Sequence, residues 1–448
     1  MLIKIDKLLF SCLLTALFIS CSQNDTVENQ IKTLSDKILN TPDSAELYYE
    51  RALLFEQLEK FEYSLQDLNQ SIKIDSTDAK YFYIRGWIHE NLNQSSLAIS
   101  DYDKAISLNP NNPEYYLLRA WSYETLMKYE DSLADLDSAI ILDPENALLY
   151  YHRGVIKQYF ESYEESIVDL SKALNLNNLN SDSYFYRGIA KENTSDLEGA
   201  LSDYTSAIRL YNRNGQYFSH RGKINYELEN FDAAFRDVSS ALKMGIEDYE
   251  LYLIRGKLQT NLTDAYNDIT KAINLDEYNH VLFYKRGKIR CSSHGTLSLR
   301  YFGITQPIRA YDPQRPRSCT NAIVDLTKAI DLQPDISEYH FLRGRLKIRE
   351  QDYRGAITDF KSAISISPNQ SEFHFHLGYT YSKIGNYQNA LNHVNRAIQL
   401  DSNKASYFLL KADMLEKLGQ IDRACENYTR SGELGNSYAF DSIRSHCN

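Results

Sequence analysis

The chain has 448 residues, with 49 Lys and Arg against 60 Asp and Glu, so its net charge is −11. An acidic chain is poorly suited to the phosphate backbone of nucleic acids, and we expect no nucleic acid as a partner. The length suffices for two or three globular domains, but the repeats described below indicate one elongated array.

The first twenty residues are typical of a targeting segment. Lys4 and Lys7 precede an apolar run, residues 8–19, that is short for a membrane span. The run ends in Phe-Ile-Ser followed by Cys21, which resembles the cleavage box of bacterial lipoproteins. The resemblance implies a lipoprotein signal peptide (1–20), lipidation of Cys21, and a site outside the cytoplasm, at the outer membrane of a Gram-negative bacterium. The alternative is an ordinary signal peptide or a short membrane anchor.

Two short segments come before the repeats. Residues 21–29 are polar, and we predict that they form a tether. Residues 30–44 contain one run with the spacing of a single helix, followed by Pro42. We therefore predict an N-terminal cap helix at the start of the array.

A pattern of 34 residues recurs over residues 45–438 and defines the organisation of the chain. Its marker is a pair such as Arg85-Gly86, which returns at the same position of each unit. The seventh unit lacks three residues at its turn, and the eighth carries an insertion at residues 292–318. A fixed period of this size is typical of a solenoid whose units bury their apolar faces against their neighbours. The repeats begin near residues 45, 79, 113, 147, 181, 215, 249, 280, 337, 371 and 405.

Each repeat contains two apolar runs at helical spacing, separated by a short polar turn. The order aromatic, Gly, Ala, aromatic, Ala and Pro is carried in the second repeat by Phe82, Gly86, Ala98, Tyr102, Ala105 and Pro110. This pattern resembles the tetratricopeptide repeat, and with the N-terminal signal the chain resembles a tetratricopeptide-repeat lipoprotein. The resemblance implies an all-α, right-handed superhelical solenoid of about eleven helix-turn-helix repeats with helical caps at both ends.

A charge pattern runs through the array. Nine repeats carry Arg at the marker, and the same nine carry Asp sixteen residues later by phase. The last two repeats have Leu377 and Lys411 in place of the Arg, and His393 and Asn427 in place of the Asp. Pairing with the next repeat would leave Asp359 opposite a leucine, so we predict an ion pair between the two helices of one repeat. The alternative is a ladder of arginines for anionic ligands.

Four cysteines remain once Cys12 is removed with the signal and Cys21 is assigned to lipid. An even number in an oxidising compartment indicates disulfides. We expect one disulfide between Cys291 and Cys319, at the base of the insertion, where closing the loop would contribute about 3 kcal/mol. We expect a second between Cys425 and Cys447, where a short C-terminal cap (439–448) folds back. Four free, buried thiols are the alternative.

The insertion, residues 292–318, contains three prolines and four arginines against a single acid, which predicts an irregular basic arm. It is either a second contact with a partner or a tolerated surface loop.

Residues for catalysis are missing from the sequence. A phosphate-binding Gly loop, an H-E-x-x-H motif, a Gly-x-Ser-x-Gly elbow and paired C-x-x-C ligands are all lacking. His340, His374 and His376 could approach one another, but the first two fill an aromatic position of the repeat, and core packing explains them better than a metal. We expect no enzyme activity, no cofactor and no metal.

The first helix of each repeat supplies the inner wall of the solenoid, as the resemblance implies. In repeats one to five, its fifth, ninth and twelfth positions hold Tyr49, Tyr83, Trp87, Glu90, Trp121, Glu124, Tyr151 and Phe185. From repeat six the ninth position becomes basic, with Lys223, Lys257, Lys288 and Arg345. We interpret these residues as a partner-binding groove. The alternative is that Trp87 and Trp121 pack against the adjacent helix and are mostly buried.

A groove of this composition suits a protein or peptide ligand. We therefore expect a non-catalytic, membrane-anchored scaffold, for instance an accessory of assembly or secretion. The alternative is a cell-surface lipoprotein that binds saccharides by stacking Trp and Tyr on sugar rings. Asn, Asp and Gln around the tryptophans would favour sugar, whereas Glu and Leu favour peptide.

Overall fold

The computed structural model describes residues 21–291 and 319–447. The signal peptide and the insertion, with their predicted features, lie outside these residues. All regular secondary structure in the two described ranges is helical, and no helix there is long and apolar enough to cross a membrane. The chain forms two compact units, residues 1–212 and 213–448.

The first unit contains repeats one to five. We call the first helix of a repeat helix A and the second helix B. Its helices A are Ala45–Gln57, Ala79–Asn91, Pro113–Thr125, Ala147–Lys157 and Ser181–Asn193. Its helices B are Phe61–Ile74, Ser95–Leu108, Tyr129–Leu142, Tyr163–Leu176 and Leu197–Leu210. A 3-10 turn, Gln158–Phe160, extends the fourth helix A.

The second unit contains repeats six to eleven. Its helices A are Gly215–Glu227, Tyr249–Leu258, His280–Cys291, Ser337–Arg349, Ser371–Lys383 and Ala405–Lys417. Its helices B are Phe231–Lys243, Leu262–Leu275, Thr320–Leu332, Tyr353–Ile366, Tyr387–Leu400 and Ile421–Glu433. Within each unit, helix A packs against its own helix B, and helix B packs against the next helix A. This is an all-α helical-repeat architecture, as the sequence predicted.

The start of helix A is specified by an Asn or Asp that also recurs every 34 residues. In the second repeat, Asp78 accepts a hydrogen bond from the backbone N–H of Lys80 at 3.0 Å. A side-chain acceptor at this position satisfies one of the free N–H groups of the first turn. The same cap is formed by Asn112, Asn146, Asn180, Asn214 and Asp248.

The turn between helices A and B is equally regular. In the second repeat Asn93 has a positive φ of 59°, and Gln94 N–H donates to the carbonyl of His89 at 2.8 Å. This closing pattern satisfies the last carbonyls of a helix. The same left-handed position is held by Glu59, Met127, Glu161, Ser195, Glu229, Gln351, Gly385 and Gly419. Repeat seven, which is three residues shorter here, has no residue at this position.

The small marker residue lets the two helices of a repeat approach closely. A Cβ added to Gly188 would lie 2.6 Å from the ring of Tyr204, which is fully buried in helix B. The residue that faces the marker from helix B is a tyrosine, phenylalanine, leucine, isoleucine or valine, and it is buried in each case. A small marker thus leaves room for a large side chain between the two helices, as close packing requires.

The N-terminal end differs from the predicted tether. One helix, Cys21–Asn40, covers both the tether (21–29) and the cap run. The segment contains no Gly or Pro, and Val27, Leu34 and Ile38 are buried, so an apolar face extends into the region we expected to be unstructured. At the other end, Ser437–His446 forms a terminal helix that packs against the last helix B.

Candidate functional site

The predicted ion pairs are present in all nine repeats that carry both residues. In each, Arg Nε and Nη2 donate to the two carboxylate oxygens, for example Arg85 to Asp101 at 2.8 and 2.5 Å. The bidentate geometry favours arginine over lysine. The carboxylates are buried, so the pairs are structural rather than a ladder for external ligands. They are Arg51–Asp67, Arg85–Asp101, Arg119–Asp135, Arg153–Asp169, Arg187–Asp203, Arg221–Asp237, Arg255–Asp268, Arg286–Asp325 and Arg343–Asp359.

The third donor of these arginines has a role that sequence reasoning missed. Arg153 Nη1 donates to Asp137 in helix B of the preceding repeat at 2.7 Å. The acceptor lies sixteen residues before the arginine, just as the paired Asp lies sixteen residues after it. The same contact joins Arg51 to Ser35, Arg85 to Asn69, Arg119 to Asp103, Arg187 to Ser171 and Arg343 to Thr327. One side chain therefore ties three helices together.

Aromatic rings connect successive helices A through the whole first unit. One ring of each helix A lies beside a ring of the next helix A, so the contacts form a ladder that crosses the repeats. The centroid distances are 5.3 Å for Tyr49–Tyr81, 5.1 Å for Tyr83–Tyr115, 5.2 Å for Trp121–His152 and 6.0 Å for Tyr151–Tyr186. Tyr49, Tyr83, Trp87, Trp121 and Tyr151 remain partly exposed. We call this surface the aromatic face.

The two tryptophans are held in place by hydrogen bonds. Trp87 Nε1–H donates to Glu56 of the preceding repeat at 3.2 Å. Trp121 Nε1–H donates to Nε2 of His152 in the following repeat at 3.0 Å. Both rings also pack against the cores of neighbouring repeats. The sequence left two interpretations open, an exposed binding surface or tryptophans packed on the adjacent helix. The structure shows elements of both, because the two rings are half-buried and keep part of their surface accessible.

Glu124 and Phe185 are buried and do not belong to the accessible groove surface that we predicted from the sequence. Only 8% of the Glu124 side chain is exposed, with Oε1 3.7 Å from His152 Nδ1, and burial raises the pKa of Glu124 to about 8. Its burial favours the neutral acid, in contrast to the solvated carboxylate that we expected at the edge of a groove. Phe185 is 9% exposed and packs on Tyr204, so it belongs to the core. Glu90 is partly exposed.

The basic positions of the second unit fall into two groups. Lys223 is neutralised by Asp248 at 2.8 Å and Glu250 at 2.7 Å. Lys257, Lys288 and Arg345 lie on consecutive helices A and rest on aromatic rings, at 5.2 Å from Tyr226, 5.0 Å from Tyr284 and 5.6 Å from Phe341 respectively. Lys285, one turn from Lys288, belongs to the same cluster, and sequence reasoning missed it.

The histidines are explained by local structure. His340 Nε2 contacts the carbonyl oxygen of Pro334 at 2.8 Å, and His374 Nε2 contacts that of Pro368 at 3.0 Å. Tyr116 makes the same contact to Pro110 in its own repeat. These two histidines therefore replace the tyrosine in the contact with the proline carbonyl. Among the residues that the structure describes, no group of His, Cys, Asp and Glu is arranged to hold a metal.

The structure joins Cys425 and Cys447 by a disulfide, with their Cα atoms 5.7 Å apart, in agreement with the predicted pairing. Cys319 is buried and is also bonded in a disulfide. The side chain of Cys291 lies outside the described residues, as does that of Cys21. The Cys291–Cys319 pairing and the lipidation of Cys21 therefore stay predictions.

Antiparallel helix pairs that recur every 34 residues and stack through shared cores define the class, which is the all-α repeat solenoid. Family models of the tetratricopeptide repeat match residues 45–78, 79–112, 101–134 and 371–404, and a further TPR repeat model matches residues 344–385. The chain contains tetratricopeptide repeats in these segments. Arrays of this kind present extended surfaces that serve as scaffolds for protein partners.

Solved structures with this type of fold show low identity to the chain. A tetratricopeptide repeat protein from Parabacteroides merdae is 19% identical over 55% of this chain and 98% of its own, with a TM-score of 0.41. PilF of Pseudomonas aeruginosa is 16% identical over 45% of this chain and 91% of its own, with a TM-score of 0.41. MamA of Desulfovibrio magneticus is 22% identical over 37% of this chain and 94% of its own, with a TM-score of 0.36. No curated protein matches the chain.

Proposed function

We propose that the protein is a non-catalytic scaffold, anchored to a membrane by a lipid on Cys21, that binds a protein or peptide on its aromatic face. The observation that carries the proposal is the ladder of rings between successive helices A of the first unit. Rings that are already packed on their neighbours lose little conformational freedom when a ligand covers them. Partly exposed Tyr and Trp are also the residues that dominate protein interfaces.

The surroundings of the tryptophans support a peptide over a saccharide. Each indole N–H is already used within the protein, by Glu56 for Trp87 and by His152 for Trp121. Their neighbours in the packed cores are mainly leucine, isoleucine and tyrosine. A sugar site would need free polar groups beside the ring to fix the hydroxyls. A saccharide ligand therefore remains the alternative that the experiment must separate.

A photo-crosslinking pair tests the proposal on native membranes. A benzophenone amino acid replaces Tyr49 on the aromatic face or, as the matched control, Tyr63 of the same repeat, which is 56% exposed on helix B. We expect protease-sensitive adducts from position 49 that position 63 does not give. Equal adducts from both positions would overturn the proposal, and adducts that resist protease but are cleaved by periodate would establish the saccharide alternative.

A second comparison separates loss of the surface from loss of the fold. Trp87→Ala with Trp121→Ala removes exposed ring surface, whereas Phe360→Ala opens the fully buried core of repeat nine in the second unit, on which neither tryptophan packs. Adducts from position 49 should disappear in the tryptophan variant and persist in the Phe360 variant. The anchor is tested separately, because Cys21→Ser should abolish incorporation of labelled palmitate and release the protein from membranes.

A further inference from the structure

A pocket of about 300 Å³ opens in the second unit, between repeats six and seven. Repeat seven lacks three residues at the turn between its helices. Its helix A ends at Leu258 after ten residues, whereas helix A of repeat six has thirteen. The apolar surface of the pocket consists of Leu258 and of Phe231 and Phe235, which belong to helix B of repeat six. The pocket therefore lies at the place of the missing residues.

Repeat four shows what a turn of full length places there. Its thirteenth to fifteenth residues, the ones that repeat seven lacks, are Tyr159, Phe160 and Glu161. The ring of Tyr159 stacks on Tyr129, with the centroids 4.4 Å apart and the planes at 12°, and Phe160 meets the same ring edge-on at 6.5 Å. Tyr129 is the first residue of helix B in repeat three, as Phe231 is in repeat six. Because repeat seven lacks these residues, it has no ring of its own to place on Phe231.

Most repeats cover this surface with an apolar side chain. In the second repeat, Leu92 packs on the same core as Phe61 and Leu65 of the preceding helix B. Phe61 and Leu65 correspond by phase to Phe231 and Phe235. Apolar surface in contact with water costs free energy, which a ligand recovers by covering it. The fourteenth residue of the repeat is apolar at Leu58, Leu92, Leu126, Phe160, Leu228, Ile384 and Leu418.

The rim of the pocket is polar. Arg236 and Thr260 lie there and are exposed, and Asp232 lies beside them. Gln259 also reaches the rim, where its Nε2 donates to Asp268 at 3.3 Å. The other ten repeats have no Arg or Lys at the helix B position of Arg236. A guanidinium can stack on an aromatic ring and donate to a carbonyl oxygen. An apolar floor with a few polar groups at its edge is the usual composition of a binding pocket.

We propose that this pocket binds an aromatic side chain, Tyr or Phe, of a partner polypeptide, which stacks on Phe231 as Tyr159 stacks on Tyr129. A volume of about 300 Å³ is at the lower limit of ligand pockets and suits a single ring. The polar rim offers hydrogen bonds to the backbone that carries this ring, which a free aromatic molecule would not use. The site lies in the second unit and uses no residue of the aromatic face. It therefore goes beyond the proposed function and does not depend on it.

A peptide with the sequence of the repeat-four turn is the probe for this site. It is acetyl-Gln-Tyr-Phe-Glu-amide, with 4-fluorophenylalanine in place of its tyrosine. Binding to the full chain is measured from the broadening of the fluorine NMR line as the protein is titrated. We expect saturable binding in the millimolar range, since only one ring is covered. The unlabelled peptide should displace the probe, and acetyl-Gln-Ala-Ala-Glu-amide should not.

A variant that fills the pocket from within the chain gives the sharpest test. Insertion of Tyr-Phe-Glu between Thr260 and Asn261 gives repeat seven its full length and rings of its own. We expect binding of the probe to weaken by about tenfold or more. The unfolding temperature of this variant should not fall, so that a loss of binding cannot be attributed to misfolding.

Two substitutions test the same contact without changing the length of the chain. Phe231→Leu removes the stacking ring and gives helix B the residue that repeat five has at Leu197, so the fold should tolerate it. It should weaken binding by about fivefold. Tyr249→Ala is the matched control, since it removes an exposed ring from the start of helix A in repeat seven. It should leave binding within about twofold.

Other results would overturn the proposal. Unchanged binding in either the filled variant or Phe231→Leu would place the probe elsewhere, for instance on the aromatic face. Displacement of the probe by phenylalaninamide as efficiently as by the peptide would assign the pocket to a free aromatic molecule. Binding that appears only after residues 292–318 are replaced by a short Gly-Ser turn would assign the pocket to the insertion of this chain instead of a partner.

Discussion

Arg187 holds Asp203 through two hydrogen bonds, from Nε to Oδ2 at 2.9 Å and from Nη2 to Oδ1 at 2.7 Å. Asp203 is 3% exposed, and it also receives Lys191, whose Nζ lies 2.9 Å from Oδ2. The carboxylate therefore has two cations, and each cation has one buried carboxylate. Removing one partner of such a buried group costs more than the pair itself contributes.

We predict that Asp203→Ala destabilises the protein by about 3–5 kcal/mol, because two partly buried cations lose their partner at once. Arg187→Ala should cost less, because Lys191 remains to pair with the carboxylate. Urea unfolding of both variants measures the difference in the free energy of unfolding.

The double variant completes this cycle. Residues that interact directly give changes that are not additive, so the combined loss should be smaller than the sum of the single losses. Full additivity would show that the two side chains do not stabilise each other in solution.

The buried pair of Glu124 and His152 predicts a pH dependence of stability. Burial raises the pKa of Glu124 to about 8, above its value in the unfolded chain. Its contribution is therefore complete below the unfolded pKa near 4.5 and is lost as the pH rises through about 8. Burial lowers the pKa of His152 to about 3, so its contribution is lost as the pH falls below 6.5 towards that value. The stability of this region should therefore be greatest between about pH 4.5 and pH 6.5.

Glu124→Gln separates the two effects. The amide keeps the shape of the neutral acid and cannot ionise, so the variant should gain stability over the natural chain as the pH rises from 6 to 9. The difference should reach a few kcal/mol in thermal or urea unfolding. Glu130→Gln, at an exposed position of the next helix, serves as the control and should show no such trend. Parallel curves for all three proteins would contradict the burial of Glu124.

Gly188→Ala tests the close contact between helices A and B. The added Cβ would lie 2.6 Å from the buried Tyr204 ring, and we expect a loss of about 1–3 kcal/mol from the forced shift. Gly287→Ala is the matched change, since among the described residues its Cβ would have no neighbour nearer than the carbonyl oxygen of Ala322 at 3.3 Å. The helix gains about 1 kcal/mol of propensity, which offsets the small shift that this contact requires. Calorimetric melting temperatures should fall for the first variant and stay nearly unchanged for the second.

Non-reducing peptide mapping tests the cysteine assignments. We expect linked peptides for Cys425–Cys447, which the structure shows bonded, and for Cys291–Cys319. Labelling of all four as free thiols under the same conditions would contradict the oxidising compartment that the N-terminal signal predicts.

The repeat phase allowed much of this structure to be predicted. Each helix A begins where the period places it, and the Arg–Asp pairing follows from the simultaneous loss of both residues in the last two repeats, at Leu377 and His393. These are properties of one repeat or of its nearest copy, and a fixed period reveals them. The positions of the helices and of the recurring Arg–Asp pairs can be predicted without knowing which side chains surround them.

Burial between repeats was the part that the phase could not reveal. Glu124 is buried beside His152 of the following repeat, which raises its pKa, and Phe185 is buried against Tyr204. The extent of the first helix was missed for a similar reason, because Val27 becomes a core residue only when the first repeat is in place. Lys285 was overlooked because only the fifth, ninth and twelfth positions were considered to face a ligand.

The hydrogen bonds from the arginines to the preceding helix B couple neighbouring repeats, and we expect them to influence the order in which the repeats unfold. In the statistical mechanics of repeat proteins, such a link is a coupling between neighbours, and strong coupling makes adjacent repeats open together. Repeats ten and eleven have Leu377 and Lys411 at this position and lack the link, and in repeats seven and eight the hydrogen bonds of Arg255 and Arg286 go to Asp268 and Asp325 of their own repeat. Because repeats ten and eleven also stand at one end of the array, we expect amide hydrogen exchange to be faster there than in the linked repeats two to five. The Cys425–Cys447 bond is placed where it limits local unfolding from that end.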